Sequence, residues 1–190
     1  RFAVAQVAGG AIGKGEVVGA FAVDCEKFYE KFQLDLMATR AADWGMPSVI
    51  VKVARNTWKG KRIVRLGKMI SSISGYAACG LPPGSGFNDA FVRAYCTGPL
   101  DAFCLACPEV TLDQAVDDSL VMAIGTEAQV RSNLKKAALH LADAICTGMT
   151  SSIAPGKSAA TASSAALAKD IARDLKHLGC GFGPCFTNFG

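Results

Sequence analysis

Apolar residues at helical spacing constrain this chain more than any other feature of its sequence. Over residues 126–147 they form one continuous stripe, made of Val130, Leu134, Ala137, Leu141 and Ile145. That spacing places them on one face of a helix. Residues 158–178 carry a similar stripe, and a further helix is predicted over 23–43, before Gly45 and Pro47 interrupt the pattern. The periodicity therefore predicts an all-α fold, an irregular helical bundle.

Shorter helices are predicted where the periodicity is weaker, over 57–74, 87–96, 99–107 and 112–124. Asp117 and Asp118 fall in the last of these segments. Adjacent acids in a helix are typical of its solvated face, so the pattern assigns them no acid–base role. The Gly- and Pro-rich residues 80–86 predict a loop.

Composition divides the chain into three parts. Residues 1–22 are rich in Gly and Ala and predict an extended arm, and residues 179–190 predict an irregular tail. Between them, 23–178 form the predicted helical domain, with a division into two sub-bundles near 80–110 left open. The start at Arg1 indicates a processed chain or a fragment. A membrane span needs about 20 predominantly apolar residues, and the sequence predicts none.

The balance of residue types predicts a folded chain with a covered surface. Of the 190 residues, 51% are hydrophobic and 19% are charged. This much apolar side chain excludes disorder as the main state, because disordered chains have little to bury. It also predicts apolar patches that partner chains cover.

Eight cysteines leave several roles open: Cys25, Cys79, Cys96, Cys104, Cys107, Cys146, Cys180 and Cys185. An even number suggests disulfides, although disulfide scaffolds are usually short chains with too little core. The Cys104/Cys107 pair suggests zinc, but its partner pair is distant and differently spaced, unlike a zinc ribbon. A redox role for the same pair needs a βαβ pattern, which the sequence does not predict.

Basic residues are concentrated in one block. No acidic residue lies between Asp43 and Asp89, and the gap contains seven cations: Lys52, Arg55, Lys59, Lys61, Arg62, Arg65 and Lys68. In a chain of net charge +4, this block creates a positive field that favours an acidic partner. No nucleic-acid-binding motif accompanies the block. Nucleic acid, anionic lipid and an acidic protein surface all stay open as partners, and the block taken by itself is also typical of a solvated basic helix face.

Catalytic motifs are absent from the sequence. It contains no phosphate loop, no H-E-x-x-H and no G-x-S-x-G. His140 and His177 each lie beside an apolar stripe, where histidines are usually structural. Cys146 lies six residues after His140, so a Cys–His pair would not share a helical face. The chain is therefore expected not to be an enzyme.

Short segments around several cysteines resemble a known family. They are Tyr95–Gly98, Ile145–Gly148 and Ala78–Gly80, and the basic block from Lys52 to Lys68 accompanies them. Together they resemble the red-algal phycoerythrin gamma subunit, a chromophore-bearing rod linker of the phycobilisome. The eleven-residue spacing of Cys96 and Cys107 is also similar to that of a doubly attached bilin in phycoerythrin beta chains.

The resemblance implies a light-harvesting role. Phycoerythrobilin, phycourobilin or both would be thioether-linked to cysteines, namely Cys79, Cys96, Cys107, Cys146 and Cys180. The chain would fill the cavity of an acidic phycobiliprotein α/β hexamer, with the basic block as the contact, and would pass excitation energy along the rod. It would lie in the chloroplast, on the stromal face of the thylakoid.

Two alternatives remain open. A secreted, disulfide-bonded helical binding or structural protein, located outside the cell, would explain the even cysteine count and the absence of an initial Met. It would not explain the basic block. A small enzyme with a cysteine nucleophile is the other alternative. Covalent colour in the denatured chain and the number of free thiols distinguish these possibilities.

Overall fold

The computed structural model describes residues 16–76, 79–82, 85–154, 156–178 and 181–182. The N-terminal segment 1–15 of the predicted arm, and most of the predicted tail, lie outside the described residues. The strands are β1 (Val17–Asp24), β2 (Lys61–Leu66), β3 (Met69–Tyr76), β4 (Thr111–Ala115), β5 (Asp118–Gly125), β6 (Ala159–Ala162) and β7 (Gly181–Phe182). The helices are α1 (Phe28–Lys31), α2 (Leu34–Asp43), α3 (Ser48–Lys59), α4 (Asn88–Ala106), α5 (Glu127–Asp143) and α6 (Ala165–Asp174).

The fold is mixed α and β, so the prediction of an all-α bundle is wrong. Five strands form one sheet in the order β4–β5–β1–β6–β7. Strand β1 lies at its centre and pairs antiparallel with β5 and β6. The other two strands, β2 and β3, form a separate antiparallel hairpin.

The wrong predictions have a common physical cause. Segment 112–124 contains Leu, Met and Ala, which favour helices locally, yet it folds as β4 and β5. Segment 57–74 likewise contributes most of the β2–β3 hairpin. Segment 17–24 is a nearly continuous apolar run, as is usual for a strand covered on both faces. In all three cases pairing with another strand decides the conformation, and local propensity does not.

The helix predicted over 126–147 is confirmed. Helix α5 covers Glu127–Asp143 and continues into a wider turn at Ala144–Gly148. A capping box begins it, since Thr126 and Gln129 satisfy each other's backbone donors. The predicted stripe points inward: Val130, Leu134, Ala137, Leu141 and Ile145 are buried.

Helices α5 and α6 pack against β1 at very short range. The closest approach is at Gly19, where an added Cβ would lie 2.6 Å from Val130 Cγ1 and 2.8 Å from Ile171 Cδ1. A second, smaller apolar cluster on the sheet contains Val18, Ala20 and Met122. In the described part of the chain, no helix is long and apolar enough to cross a membrane.

Replacing Gly19 by alanine is expected to destabilise the fold. The new methyl group must push α5 and α6 away from the sheet, and overpacking of this kind costs about 1–3 kcal/mol. Urea denaturation measures the loss in the free energy of unfolding. Gly86→Ala is the matched control, because a Cβ there meets nothing within 4 Å. Equal effects of the two changes would contradict close packing at Gly19.

Candidate functional site

Three carboxylates lie together at one edge of the main sheet. Asp24 is the last residue of β1, and Asp118 is the first residue of β5. The two are direct partners in the antiparallel register. Asp117 immediately precedes Asp118, and its carbonyl oxygen accepts a hydrogen bond of 3.2 Å from the backbone N–H of Cys25. Strand pairing therefore gathers acids that are distant along the chain.

The turn that carries Asp117 is tight and strained. Ala115 pairs with Asp118, so Val116 and Asp117 alone connect β4 to β5. Val116 has a φ of 59°, a position that hairpins usually fill with glycine and that is costly for a β-branched residue. The Gln114 amide donates to the Val116 carbonyl at 2.9 Å and braces the turn. Strain held in this way is often found at functional sites.

A lysine faces the carboxylates from a neighbouring loop. Lys157 Nζ lies 2.8 Å from Asp24 Oδ2, and the lysine side chain is largely exposed. The loop is held beside β1 because the Ala154 N–H donates to the Asp24 carbonyl at 2.8 Å. A bridge between Cys25 and Ile153 continues this pairing. The pKa of Lys157 is raised, first by its hydrogen bond to Asp24 and then by the charges of Asp24, Asp117 and Asp118.

The residue after Asp24 is uncharged. Cys25 is buried, and its burial, with smaller contributions from Cys96 and nearby acids, raises its pKa to about 12. Its thiol therefore stays protonated at physiological pH and is no nucleophile. The acidic and basic side chains of the site are therefore Asp24, Asp117, Asp118 and Lys157.

The charges of the carboxylates are close enough to disturb each other. The pKa of Asp118 is raised, first by partial burial and then by the charges of Asp117 and Asp24. The charge of Lys157 opposes this rise. The proton is therefore bound more tightly in the folded state than in the unfolded chain. Ionised Asp118 destabilises the fold above its unfolded pKa, and this penalty disappears as the pH falls and the carboxyl becomes protonated.

Asp118→Asn is accordingly expected to raise the melting temperature near neutral pH. The gain should shrink below about pH 4, where the wild-type carboxyl is protonated in both states. Thermal melts of both proteins across this pH range test it. Asp113→Asn changes another exposed carboxyl of the same hairpin, and it should change the melting temperature much less. A gain that persisted undiminished in acid would show that charge repulsion is not its cause.

The donor set suits a hard divalent cation. Carboxylate oxygens are the ligands that Mg²⁺ prefers, and Mg²⁺ is usually held by one or two carboxylates together with substrate phosphates and water. Among the described residues, no group of three or more Asp, Glu, His or Cys side chains is placed to hold a metal ion. A cation here would therefore need substrate phosphates and water, in addition to one or two of these carboxylates, to complete its ligand set.

The cysteines predicted to carry bilins are dispersed. Cys96 and Cys107 are buried, whereas Cys79 and Cys146 are exposed. Cys180 lies outside the described residues. Each of the six cysteines in the described part of the chain, which also include Cys25 and Cys104, has a free thiol. Bilin attachment stays a prediction that the fold does not test.

The predicted basic block is divided between two elements. On α3, Arg55 and Lys59 both form ion pairs with Asp35, at 2.6 Å each, so part of their charge is neutralised. On the β2–β3 hairpin, Arg65 and Lys68 are exposed. The side chains of Lys61 and Arg62 lie outside the described part of the structure.

Sequence reasoning missed the carboxylate site altogether. It assigned Asp117 and Asp118 to a helix face and gave Asp24 no role. A usable signal was present: the Asp117–Asp118 pair lies at the start of segment 118–125, and this segment and 111–115 can each form a strand. Recognising a two-residue turn there would have suggested exposed, adjacent acids at a hairpin tip.

Comparisons with known proteins identify a shared fold. One similar structure is that of telomerase from Candida tropicalis in complex with a TWJ fragment of telomeric RNA. It matches with a TM-score of 0.55 and 10% sequence identity, and the match covers 83% of this chain and 29% of the telomerase chain. Apo telomerase from the same organism, truncated from its C-terminal domain, has a TM-score of 0.48 and 12% identity, over 77% and 31% of the two chains. This chain thus spans less than a third of either telomerase. No protein-family model matches it, and a search of curated proteins finds no match.

Proposed function

We propose that this chain catalyses metal-dependent nucleotidyl transfer, in which a nucleic-acid primer is extended along an RNA template. The observation that carries the proposal is the pairing of Asp24 with Asp118 on adjoining antiparallel strands, with Asp117 in the turn directly before Asp118. Polymerases are among the enzymes that use two divalent cations for in-line displacement at phosphorus. Carboxylates at a rigid sheet edge are suited to hold such cations beside a triphosphate.

Each side chain of the site has a role in this proposal. Asp24 and Asp117 would supply oxygen ligands to divalent cations, with Asp118 beside them. When bound, these cations would stabilise the attacking and leaving oxygens of the displacement. Lys157 neutralises Asp24, and its largely exposed ammonium group would meet the negative charge of the substrate phosphates. Cys25, buried and neutral, adds no competing charge.

The shared fold supports the proposed template class. The solved neighbour with a TM-score of 0.55 is a telomerase bound to a fragment of telomeric RNA. Fold likeness at 10% identity does not carry an activity over. It does direct the choice of template, and for this reason RNA is the template proposed here.

Primer extension tests the proposal directly. The chain is incubated with a labelled DNA primer on an unstructured RNA template, the four deoxynucleoside triphosphates, and Mg²⁺ or Mn²⁺. Extension that stops when EDTA is added is expected, and extension on RNA should exceed that on a DNA template of the same sequence. Extension without any template, or no nucleotide incorporation with either cation, would overturn the proposal.

A bilin-carrying rod linker is the second candidate, and the exposure of Cys79 and Cys146 favours it. The expectation that the chain is not an enzyme and binds no nucleic acid belongs to this candidate, and primer extension decides between the two. Under this candidate, the denatured chain isolated from its source is expected to keep covalent colour. Its intact mass should exceed that of the bare sequence by whole bilins. A colourless chain with the bare mass would exclude the candidate.

A further inference from the structure

The β2–β3 hairpin presents an apolar tip to solvent. Leu66, Met69 and Ile70 are 72%, 69% and 69% exposed. Leu66 pairs with Met69, so Gly67 and Lys68 make a two-residue turn, and the φ of 61° at Gly67 suits it. Large apolar side chains gathered at one exposed tip usually mark a contact site.

Charge around the tip indicates what it contacts. Arg65 and Lys68 flank the apolar side chains, and both are exposed. No acidic residue lies between Asp43 and Asp89, so no acid in the hairpin offsets these cations. A partner that accepts apolar groups and cations at the same point must itself combine apolar surface with negative charge. A nucleic-acid duplex does so, because stacked bases lie between rows of phosphates.

The shape of the hairpin suits insertion into a duplex. It is a two-stranded sheet separate from the five-stranded one, and its turn is open, since a Cβ at Gly67 would meet nothing within 4 Å. Proteins that kink duplexes insert Leu, Ile and Met side chains between base steps and unstack them. Flanking Lys and Arg side chains hold the phosphates on either side.

We infer that the tip formed by Leu66, Met69 and Ile70 is a wedge that inserts into nucleic-acid duplexes and unstacks their bases, while Arg65 and Lys68 grip the backbone. The inference rests on the proposed function for its purpose, because a polymerase that copies structured RNA must open the helices in its path. Binding and unstacking themselves need no catalysis. They can therefore be measured separately from nucleotide incorporation.

The test replaces the tip without changing its charge. In the variant Leu66→Thr/Met69→Thr/Ile70→Thr, threonine keeps the strand propensity of the hairpin. The matched control is Val49→Thr/Val53→Thr on α3, where two valines are 64% and 60% exposed. The probe is an RNA–DNA duplex with 2-aminopurine near one end, whose fluorescence rises when it unstacks. Circular dichroism melts verify that all three proteins are folded.

The wild-type chain and the α3 control are expected to raise the fluorescence equally. The tip variant should need roughly tenfold more protein for the same rise, since unstacking loses its apolar partners. Its affinity for the duplex should keep the wild-type salt dependence, because the cations remain. Equal unstacking by the tip variant, or an equal loss in the α3 control, would overturn the wedge. Tip-dependent self-association or binding to anionic phospholipid vesicles, without a fluorescence change, would also overturn it.

Two templates separate this inference from the proposed function. Relative to the wild-type chain and the α3 control, the tip variant should lose much more extension on an RNA template with a stable downstream hairpin than on an unstructured RNA template. Its products should end at the base of that hairpin. Tip-dependent unstacking without any extension would leave the wedge standing and the polymerase proposal refuted. Extension on the unstructured template, together with unstacking that does not depend on the tip, would refute the wedge and leave the polymerase proposal standing.

Discussion

Asp24→Asn and Asp117→Asn are each expected to reduce primer extension by about a thousandfold or more. A catalytic metal ion stabilises its transition state by several kcal/mol, and each loss of about 1.4 kcal/mol slows the reaction tenfold. An amide keeps the size of the side chain but removes the charge that holds the cation. Single-turnover incorporation of one nucleotide, measured with saturating Mg²⁺, gives the loss directly.

Two controls make this result specific. Asp113→Asn, an exposed change on β4 of the same hairpin, should leave incorporation within a factor of about two, as is usual for surface substitutions away from a site. Asp24→Asn also loses its ion pair with Lys157. Since that lysine is 70% exposed, the pair contributes little stability, and the melting temperature should change little. Wild-type incorporation by either site variant would refute the assignment of the carboxylates.

Tyr95→Ala is expected to cause the largest loss of stability. Tyr95 is fully buried in the core, and its ring centroid lies 4.1 Å from that of Phe32. Its hydroxyl donates to the Met149 carbonyl at 2.7 Å. Removing a buried aromatic side chain costs about 3–5 kcal/mol, and here the change also leaves that carbonyl without its partner. Urea denaturation should show the midpoint falling by a corresponding amount.

Tyr95→Phe separates packing from hydrogen bonding. It keeps the ring and removes only the hydroxyl, so the loss should be about 1–2 kcal/mol. Arg40 should keep its position, since it lies 5.0 Å from the ring centroid and donates to the carbonyls of Tyr95 and Gly148 at 2.6 Å each. If the two Tyr95 variants lost equal stability, the hydroxyl would matter and the ring packing would not.

This cluster also positions part of the candidate site. Tyr95 and Arg40 hold the segment that follows α5, through Gly148 and Met149. The same segment continues to Ser152 and Ala154, whose backbones hydrogen-bond to Glu26 and Asp24, and then to Lys157. Weakening the cluster should therefore loosen the lysine as well as the core.

Helices α5 and α6 could be predicted from local patterns alone. Their apolar stripes have helical spacing, and side chains cap their first turns: Thr126 for α5 and Ser164 for α6. These signals lie within a few residues of the elements that they specify. A helix closes its hydrogen bonds within its own segment, so such signals suffice.

The strands depend on residues far along the chain. Strand β1 contains three Val and one Phe beside one Gly and two Ala, and it ends a Gly- and Ala-rich segment that fits an extended arm as readily as a strand. Its partner β5 begins at Asp118, and no local pattern in the sequence indicates that the two segments pair. A strand forms its hydrogen bonds only with another segment, which explains why β4 and β5 were predicted as a helix.

The candidate site shows the same division between local and distant information. Asp24, Asp117 and Asp118 are ordinary acids in the sequence, and nothing near them indicates a common role. The antiparallel register sets Asp24 opposite Asp118, and a strained two-residue turn holds Asp117 beside them. Local patterns specified the helices that cover the sheet. Only strand pairing in three dimensions brought the carboxylates together, because hydrogen bonds between distant segments define which residues meet at a sheet edge.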